Sequence, residues 1–350
     1  MERSLFLQTL EEIKPLVAEV IAGYLPYHEP YGHYEMIHEY PRRQGKYFRP
    51  GLLIASAELF GARREQALLA AVAMQLSEEW LLVHDDVEDH SETRRRTAKE
   101  LNPTLNAAYG YELAVNAGDA LHILMWKAAC DASGILGEEK GSRFLATLND
   151  ILITTTEGQF MELSWMREHN LAITENDYFC MVDRKTGLYT VQGPAVLGGI
   201  VAGASDEILS GIGKWAILLG RAFQIQDDIL DLERDSALTG KERGGDILEG
   251  KRTLLLIHLL RSCSSIEREY VSTIYRKPRE LKSCADVEYV IGLMEQYGSI
   301  EHAREAAGKY AEGAHQEFDR FANIVPDSAK KPEANAVIRS AIEFVVRRNN

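Results

Sequence analysis

The chain has 350 residues, 45% of them apolar and 26% charged, with only 10 prolines. These proportions exclude collagen-like, Pro-rich and largely disordered chains. Lys and Arg number 39 against 53 Asp and Glu, a net charge of −14. A chain this acidic is unsuited to a nucleic-acid backbone, and it binds anions only where metal ions or a local basic cluster reverse the field.

No stretch approaches the ~20 apolar residues of a membrane span. The first residues, MERSLFLQTLEEIKPLV, are charged from position 2 and lack the apolar core of a secretory signal. The four cysteines (Cys130, Cys180, Cys263, Cys284) form no C-x-x-C pair. They are read as reduced thiols, and a cytoplasmic location is expected.

In chain order, helical spacing dominates. Glu65–Asp89 repeats apolar residues every three or four positions without Gly or Pro, and the same pattern predicts helices over Leu105–Ala132, Glu138–Glu168, Gly187–Ala204 and Asp206–Leu232. Further helices are predicted near Thr253–Tyr275, Ser283–Tyr297, Ile300–Ala322 and Ala334–Arg347. Asn102-Pro103 and Thr174-x-x-Asp177 punctuate them as helix starts do. No run has strand-like alternation. The prediction is one all-α domain over residues 1–350. Between Asp235 and Arg252 the chain reads DSALTGKERGGDILEGKR, a polar Gly-rich loop; loops of this length in compact helical domains are usually functional.

Two carboxylate clusters carry the chemistry. In His84-Asp85-Asp86-Val87-Glu88-Asp89, Asp85 and Asp89 lie one helical turn apart on one face. Like charges there need compensation, and hard oxygen ligands with room for water suit Mg²⁺. A solvated acidic helix end is the alternative for this cluster alone. The second cluster, Gln224-Ile225-Gln226-Asp227-Asp228-Ile229-Leu230-Asp231, repeats the spacing and closes an apolar helix, where carboxylates are costly unless neutralised. Two such helices can face each other across a bundle. Basic residues accompany both: Arg94-Arg95-Arg96, Lys185, Lys241, Lys251 and the segment Gly45-Lys46-Tyr47-Phe48-Arg49-Pro50. Acids for Mg²⁺ ringed by Arg and Lys are what a diphosphate ligand requires.

With these motifs in order (GKYFRP, HDDVED then RR, NAGDAL, EGQFMEL, KTGLYT, FQIQDDILD, GKERGGDILEGKRTLLLIH), the sequence resembles the trans-polyprenyl diphosphate synthases, most closely the archaeal geranylgeranyl type. The resemblance implies a single large helical bundle of the isoprenoid synthase type with a central cavity, working as a homodimer. It implies condensation of isopentenyl diphosphate with dimethylallyl, geranyl or farnesyl diphosphate, by ionisation of the allylic diphosphate with three Mg²⁺ ions per site. Asp85, Asp89 and Asp227 match the metal ligands, with Asp86, Asp228 and Asp231 as supporting or alternate ones. Arg94, Lys185, Thr186, Gln224, Lys241 and Lys251 match contacts to the allylic diphosphate, and the Thr186 carbonyl matches a group that stabilises the cation. Gly45, Lys46, Arg49 and Arg95 match the isopentenyl diphosphate pocket.

Three positions depart from the family pattern: Glu78 where His or Gln is usual, Arg96 for Gly and Ala98 for Pro. A carboxylate at 78 would repel a diphosphate unless it pairs with Lys46 or is protonated; Arg96 is another possible partner. Chain length is expected to depend on Ser77, Trp80 and Leu81, one to two turns before Asp85, which gives C20, geranylgeranyl diphosphate. Farnesyl and geranylfarnesyl diphosphate synthesis, a class I terpene cyclase, a non-catalytic regulatory subunit and an all-α nucleotide diphosphohydrolase, which would leave the basic loop after Asp231 unexplained, are the alternatives.

Overall fold

The structure, a computed structural model, describes residues 4–97, 100–233, 243–325 and 331–346. Helices α1 (Leu5–Tyr24), α2 (Tyr31–Arg43) and α3 (Phe48–Leu59) lead into the long α4 (Arg64–Glu88), which carries the first carboxylate cluster at its C-terminal end. A short hairpin, β1 (Thr93–Thr97) with β2 (Glu100–Pro103), follows. Next come α5 (Leu105–Tyr109), α6 (Tyr111–Leu136), α7 (Glu138–Arg167) and α8 (Glu175–Val182), the last running into a π-helical segment over Asp183–Gln192 and then α9 (Gly193–Ala202). Helix α10 (Asp206–Glu233) carries the second cluster. The remaining helices are α11 (Gly245–Glu249), α12 (Leu254–Ser262), α13 (Ser265–Arg276), α14 (Cys284–Gln296), α15 (Ser299–Ile324) and α16 (Pro332–Val346).

Three expectations are corrected. The run Leu105–Ala132 is two helices, because Gly110 adopts φ +92°, outside any helix. Thr253–Tyr275 is also two: Ser264 starts α13 with a capping box to Glu267, accepting from its N–H at 3.3 Å while the Glu267 carboxylate accepts from the Ser264 N–H at 2.9 Å. The all-helical reading missed the hairpin, in which Arg94 lies opposite Asn102 and Arg95 opposite Leu101. Three successive arginines lack the apolar alternation that marks a half-buried strand.

The helices pack into two apolar clusters. One joins α1 to α4, α6, α7, α9, the first half of α10, the C-terminal half of α15 and α16, with Trp215, Phe6, Phe144 and Phe318 fully buried. The other is built from α8, the second half of α10 and α12 to α15. At the seam between them backbones approach closely. A Cβ on Gly220 of α10 would lie 2.4 Å from Gly187 Cα, and one on Gly158 of α7 would lie 2.5 Å from the Lys185 nitrogen. These two glycines hold the π segment, and with it Lys185 and Thr186, between α7 and α10. Pro194, with no N–H to donate, stands in the first turn of α9, where the π segment gives way to it.

Candidate active site

The two clusters meet at one cavity of about 560 Å³, walled by α4, α7, the π segment, α10 and the α11 turn. Asp85, Asp86 and Asp89 line it from α4, and Asp227, Asp228 and Asp231 from α10. Their surroundings divide them. Asp86 accepts a bidentate pair from Arg94, Nε at 2.7 Å and Nη2 at 2.6 Å, and the Tyr40 hydroxyl donates to it as well. Asp228 accepts from the Tyr178 hydroxyl at 2.8 Å and from Gln224 Nε2 at 2.7 Å. Asp231 accepts from the Asp246 backbone N–H at 3.0 Å, tying α11 to α10. These three carboxylates are therefore committed to protein partners. Asp85 makes longer contacts, to Arg94 at 3.4 Å and Lys185 at 3.8 Å.

The residues fit a hard divalent cation. Asp89 is 5% exposed, and its Oδ1 is buried without a hydrogen-bond partner among the described residues. Burial pushes the carboxyl groups of Asp89 and Asp228 above the ordinary range, the signature of oxygen donors short of positive charge. Among the described residues no three His, Cys, Asp or Glu side chains are arranged to hold a metal ion by themselves. Ions here would be completed by water and substrate oxygens, the coordination Mg²⁺ favours.

Cations ring the acids. Lys185 pairs with Glu162 at 2.5 Å, and Lys251 pairs with Glu249 at 2.6 Å and Asp89 at 3.0 Å. Burial opposes the charge on Lys185, but Glu162 and Asp85 hold its pKa above the usual range. Thr186 lines the cavity, its hydroxyl donating to Gln224 Oε1 at 2.6 Å. So Arg94, Lys185, Thr186, Gln224 and Lys251 come together as expected. Lys241 lies outside the described residues, as does the side chain of Arg95.

The basic segment near the N-terminus divides. Arg49 lines the cavity, whereas Gly45 and Lys46 are exposed, with Lys46 Nζ 6.0 Å from the Phe344 ring centroid. The partner expected for Glu78 is corrected. It is not Lys46; Arg49 Nη1 meets Glu78 Oε1 at 2.9 Å. Arg49 also donates to the Thr190 hydroxyl at 2.9 Å. The side chain of Arg96 lies outside the described residues.

Of the chain-length positions, Trp80 and Leu81 line the cavity. The Trp80 indole N–H donates to His84 Nδ1 at 3.1 Å, and its ring stacks on His122 at 4.0 Å. Ser77 is fully buried against the Tyr189 hydroxyl at 3.0 Å and is not part of the cavity lining. Sequence reasoning did not single out Gln159, Glu162, Tyr178, Glu249 or Arg279, all of which line the cavity. Glu162 and Glu249 stand inside motifs already noted; Tyr178 and Arg279 carry no local signal.

The polyprenyl synthetase family profile matches residues 32–294. The chain belongs to that family. It is 31% identical to the geranylgeranyl diphosphate synthase of Sulfolobus acidocaldarius over 99% of both chains. A geranylgeranyl pyrophosphate synthetase from Pyrococcus horikoshii superposes with a TM-score of 0.83 at 31% identity, covering 97% of this chain and 98% of that one. The synthase from Corynebacterium glutamicum, solved with isoprenyl diphosphate and magnesium, shares the fold at 21% identity, with a TM-score of 0.84 and coverage of 99% and 100%. The all-α isoprenoid synthase fold is thereby established, and as a polyprenyl synthetase the chain is a trans-prenyltransferase. Among the described residues no helix is long and apolar enough to cross a membrane.

Proposed function

We propose that this polyprenyl synthetase condenses isopentenyl diphosphate with dimethylallyl, geranyl and farnesyl diphosphates and releases geranylgeranyl diphosphate, with residues 1–350 acting as one catalytic domain. The observation that carries the reading is the pair of carboxylate clusters facing one cavity that Lys185, Lys251 and Arg94 also line. Asp85, Asp89 and Asp227 would hold Mg²⁺, three ions per site, which supplies Lewis-acid neutralisation of the leaving diphosphate when bound.

The chain's own residues account for the remaining steps. Lys185 and Lys251, with Arg94 and Lys241, donate to the allylic diphosphate, so that charge developing on the leaving oxygen meets donors already in place. The allylic C–O bond breaks and its electron pair leaves with the diphosphate. The Thr186 peptide, in the π segment, stabilises the allylic cation. The double bond of isopentenyl diphosphate attacks that cation, and the proton lost goes to the released diphosphate. Leu81, Leu82, Met181 and Phe223 keep the cavity wall apolar, which excludes the water that would quench the cation. The test is inorganic diphosphate release from each allylic substrate: it is expected to need both Mg²⁺ and isopentenyl diphosphate, and release without isopentenyl diphosphate would point to cyclisation or hydrolysis.

Arg49, with Lys46, Gly45 and Arg95, is assigned to isopentenyl diphosphate, and Glu78 competes for Arg49. Glu78→Gln or Glu78→His is therefore expected to lower KM for isopentenyl diphosphate roughly threefold or more, with the allylic KM unchanged. Leaving Arg49 without its carboxylate costs about 1–3 kcal/mol of stability in the free protein. A change confined to the allylic KM would assign Glu78 to the wrong substrate.

Homodimer formation is part of the proposal. Apolar side chains on α6 stand exposed, among them Ile123 at 68% and Ile135 at 66%, and a partner copy would cover them. Sedimentation is expected at about twice the chain mass of 39.3 kDa; a single-chain mass across micromolar concentrations would contradict it. Free cysteines at 130, 180, 263 and 284 support a cytoplasmic setting.

A further inference from the structure

The cations that line the cavity differ in one respect. Arg49 has Glu78 at 2.9 Å, Arg94 has Asp86 at 2.6 Å, Lys185 has Glu162 at 2.5 Å, Lys251 has Glu249 at 2.6 Å and Arg279 has Glu249 at 3.4 Å. Arg252 also lines the cavity and is 2% exposed, yet among the described residues no carboxylate pairs with it. Its guanidinium is held by neutral groups. Nε donates to the Asn170 carbonyl at 2.9 Å, Nη1 donates to the Gly250 carbonyl, and the Tyr275 ring centroid lies 5.9 Å away. Nη2 is buried with no hydrogen-bond partner among the described residues.

A buried donor without an acceptor is costly, and a buried charge without a counter-charge more so. Such a group is retained where an anion completes it. The field it makes reaches its neighbours: burial, with Arg252 and Arg279 nearby, pushes the Lys282 ammonium down to about 8. The same burial lowers the pKa of Arg252 itself. An incoming diphosphate has to compete with a carboxylate for each of the other five cations, but not for Arg252.

We propose that Arg252 is a further diphosphate-binding residue, its Nη2 donating to phosphate oxygens of the allylic substrate and of the inorganic diphosphate released from it. This rests on the diphosphate chemistry proposed above. The adjacent Lys251 delivers a charge already shared with Glu249 and Asp89; Arg252 adds one that is not shared.

The test is calorimetric titration of the full chain with inorganic diphosphate at fixed Mg²⁺, beside steady-state kinetics. Arg252→Gln is expected to weaken inorganic diphosphate at least tenfold, the size of one lost charge-assisted hydrogen bond. The allylic KM should rise in proportion, with the isopentenyl diphosphate KM within about twofold of wild type, and Arg252→Lys should restore most of the affinity. Should Arg252→Gln not fold, Arg252→Met keeps length and packing against Tyr275 and serves in its place. A folded neutral variant that binds inorganic diphosphate as wild type does, with only a lower Tm, would overturn the proposal and leave Arg252 as a clamp between the Asn170 and Gly250 carbonyls. The titration needs no turnover, so its failure is distinct from failure of the proposed reaction, which would appear as a wild-type protein that binds diphosphate and forms no product.

Discussion

Asp85→Ala and Asp227→Ala each reduce turnover by about 10³-fold or more, the scale of removing a group that stabilises charge in the transition state, while the helices stay folded. Asp85 is 28% exposed at its side chain, with contacts to Arg94 and Lys185 at 3.4 and 3.8 Å, so its loss is expected to cost less stability than that of a buried carboxylate. Asp86→Ala makes the contrast. That carboxylate is 2% exposed and holds the half-buried Arg94 in a bidentate pair, so its loss removes that pair and costs about 1–3 kcal/mol. Circular dichroism, melting temperature and kcat measured on all three variants separate the roles. Near-normal turnover of Asp85→Ala or Asp227→Ala with Mg²⁺ would remove the basis for a two-cluster metal site.

Trp80→Ala lengthens the product. A prenyl chain anchored at the carboxylates grows away from them alongside α4, at ~1.5 Å per residue of helix, and meets Trp80 at the cavity wall. The indole is fixed from two sides, by His84 through its N–H and by His122 through stacking, and as the proposed floor of the chain's path it would be rigid. Removing it opens space for at least one further five-carbon unit, and products of C25 and beyond are expected where wild type stops at C20. The competing account is a core tryptophan, which at 8% exposure is a fair description. It predicts an unchanged product distribution and a loss of about 3–5 kcal/mol in stability. Product analysis and a melting curve on the same preparation decide between them.

Much of this arrangement was legible in the sequence because helices advertise their buried face. The period of α4 and α10 put Asp85 with Asp89, and Asp227 with Asp231, on single faces before any coordinates. What escaped was set by contacts between distant segments. Glu78 meets Arg49 because α3 packs against α4, which nothing in either local sequence states. Ser77 shares the helical face of Trp80 and Leu81, yet the Tyr189 hydroxyl packs against it at 3.0 Å and it is fully buried outside the cavity lining. The π segment at Asp183–Gln192 depends on Gly158 and Gly220 admitting the backbone on either side, a contact neither local sequence states. In sequence Arg252 is one more basic residue of the Gly-rich loop, with nothing to set it apart from a solvated charge. Only its burial and its lack of a carboxylate mark it.

The most direct measurement supplies purified protein with Mg²⁺, isopentenyl diphosphate and farnesyl diphosphate, and identifies the extracted product by mass spectrometry. One condensation giving geranylgeranyl diphosphate, with stoichiometric inorganic diphosphate and no product when chelator removes the metal, is the expected result. Farnesyl diphosphate recovered intact beside unused isopentenyl diphosphate, or converted to a cyclic hydrocarbon without consuming it, would contradict the account.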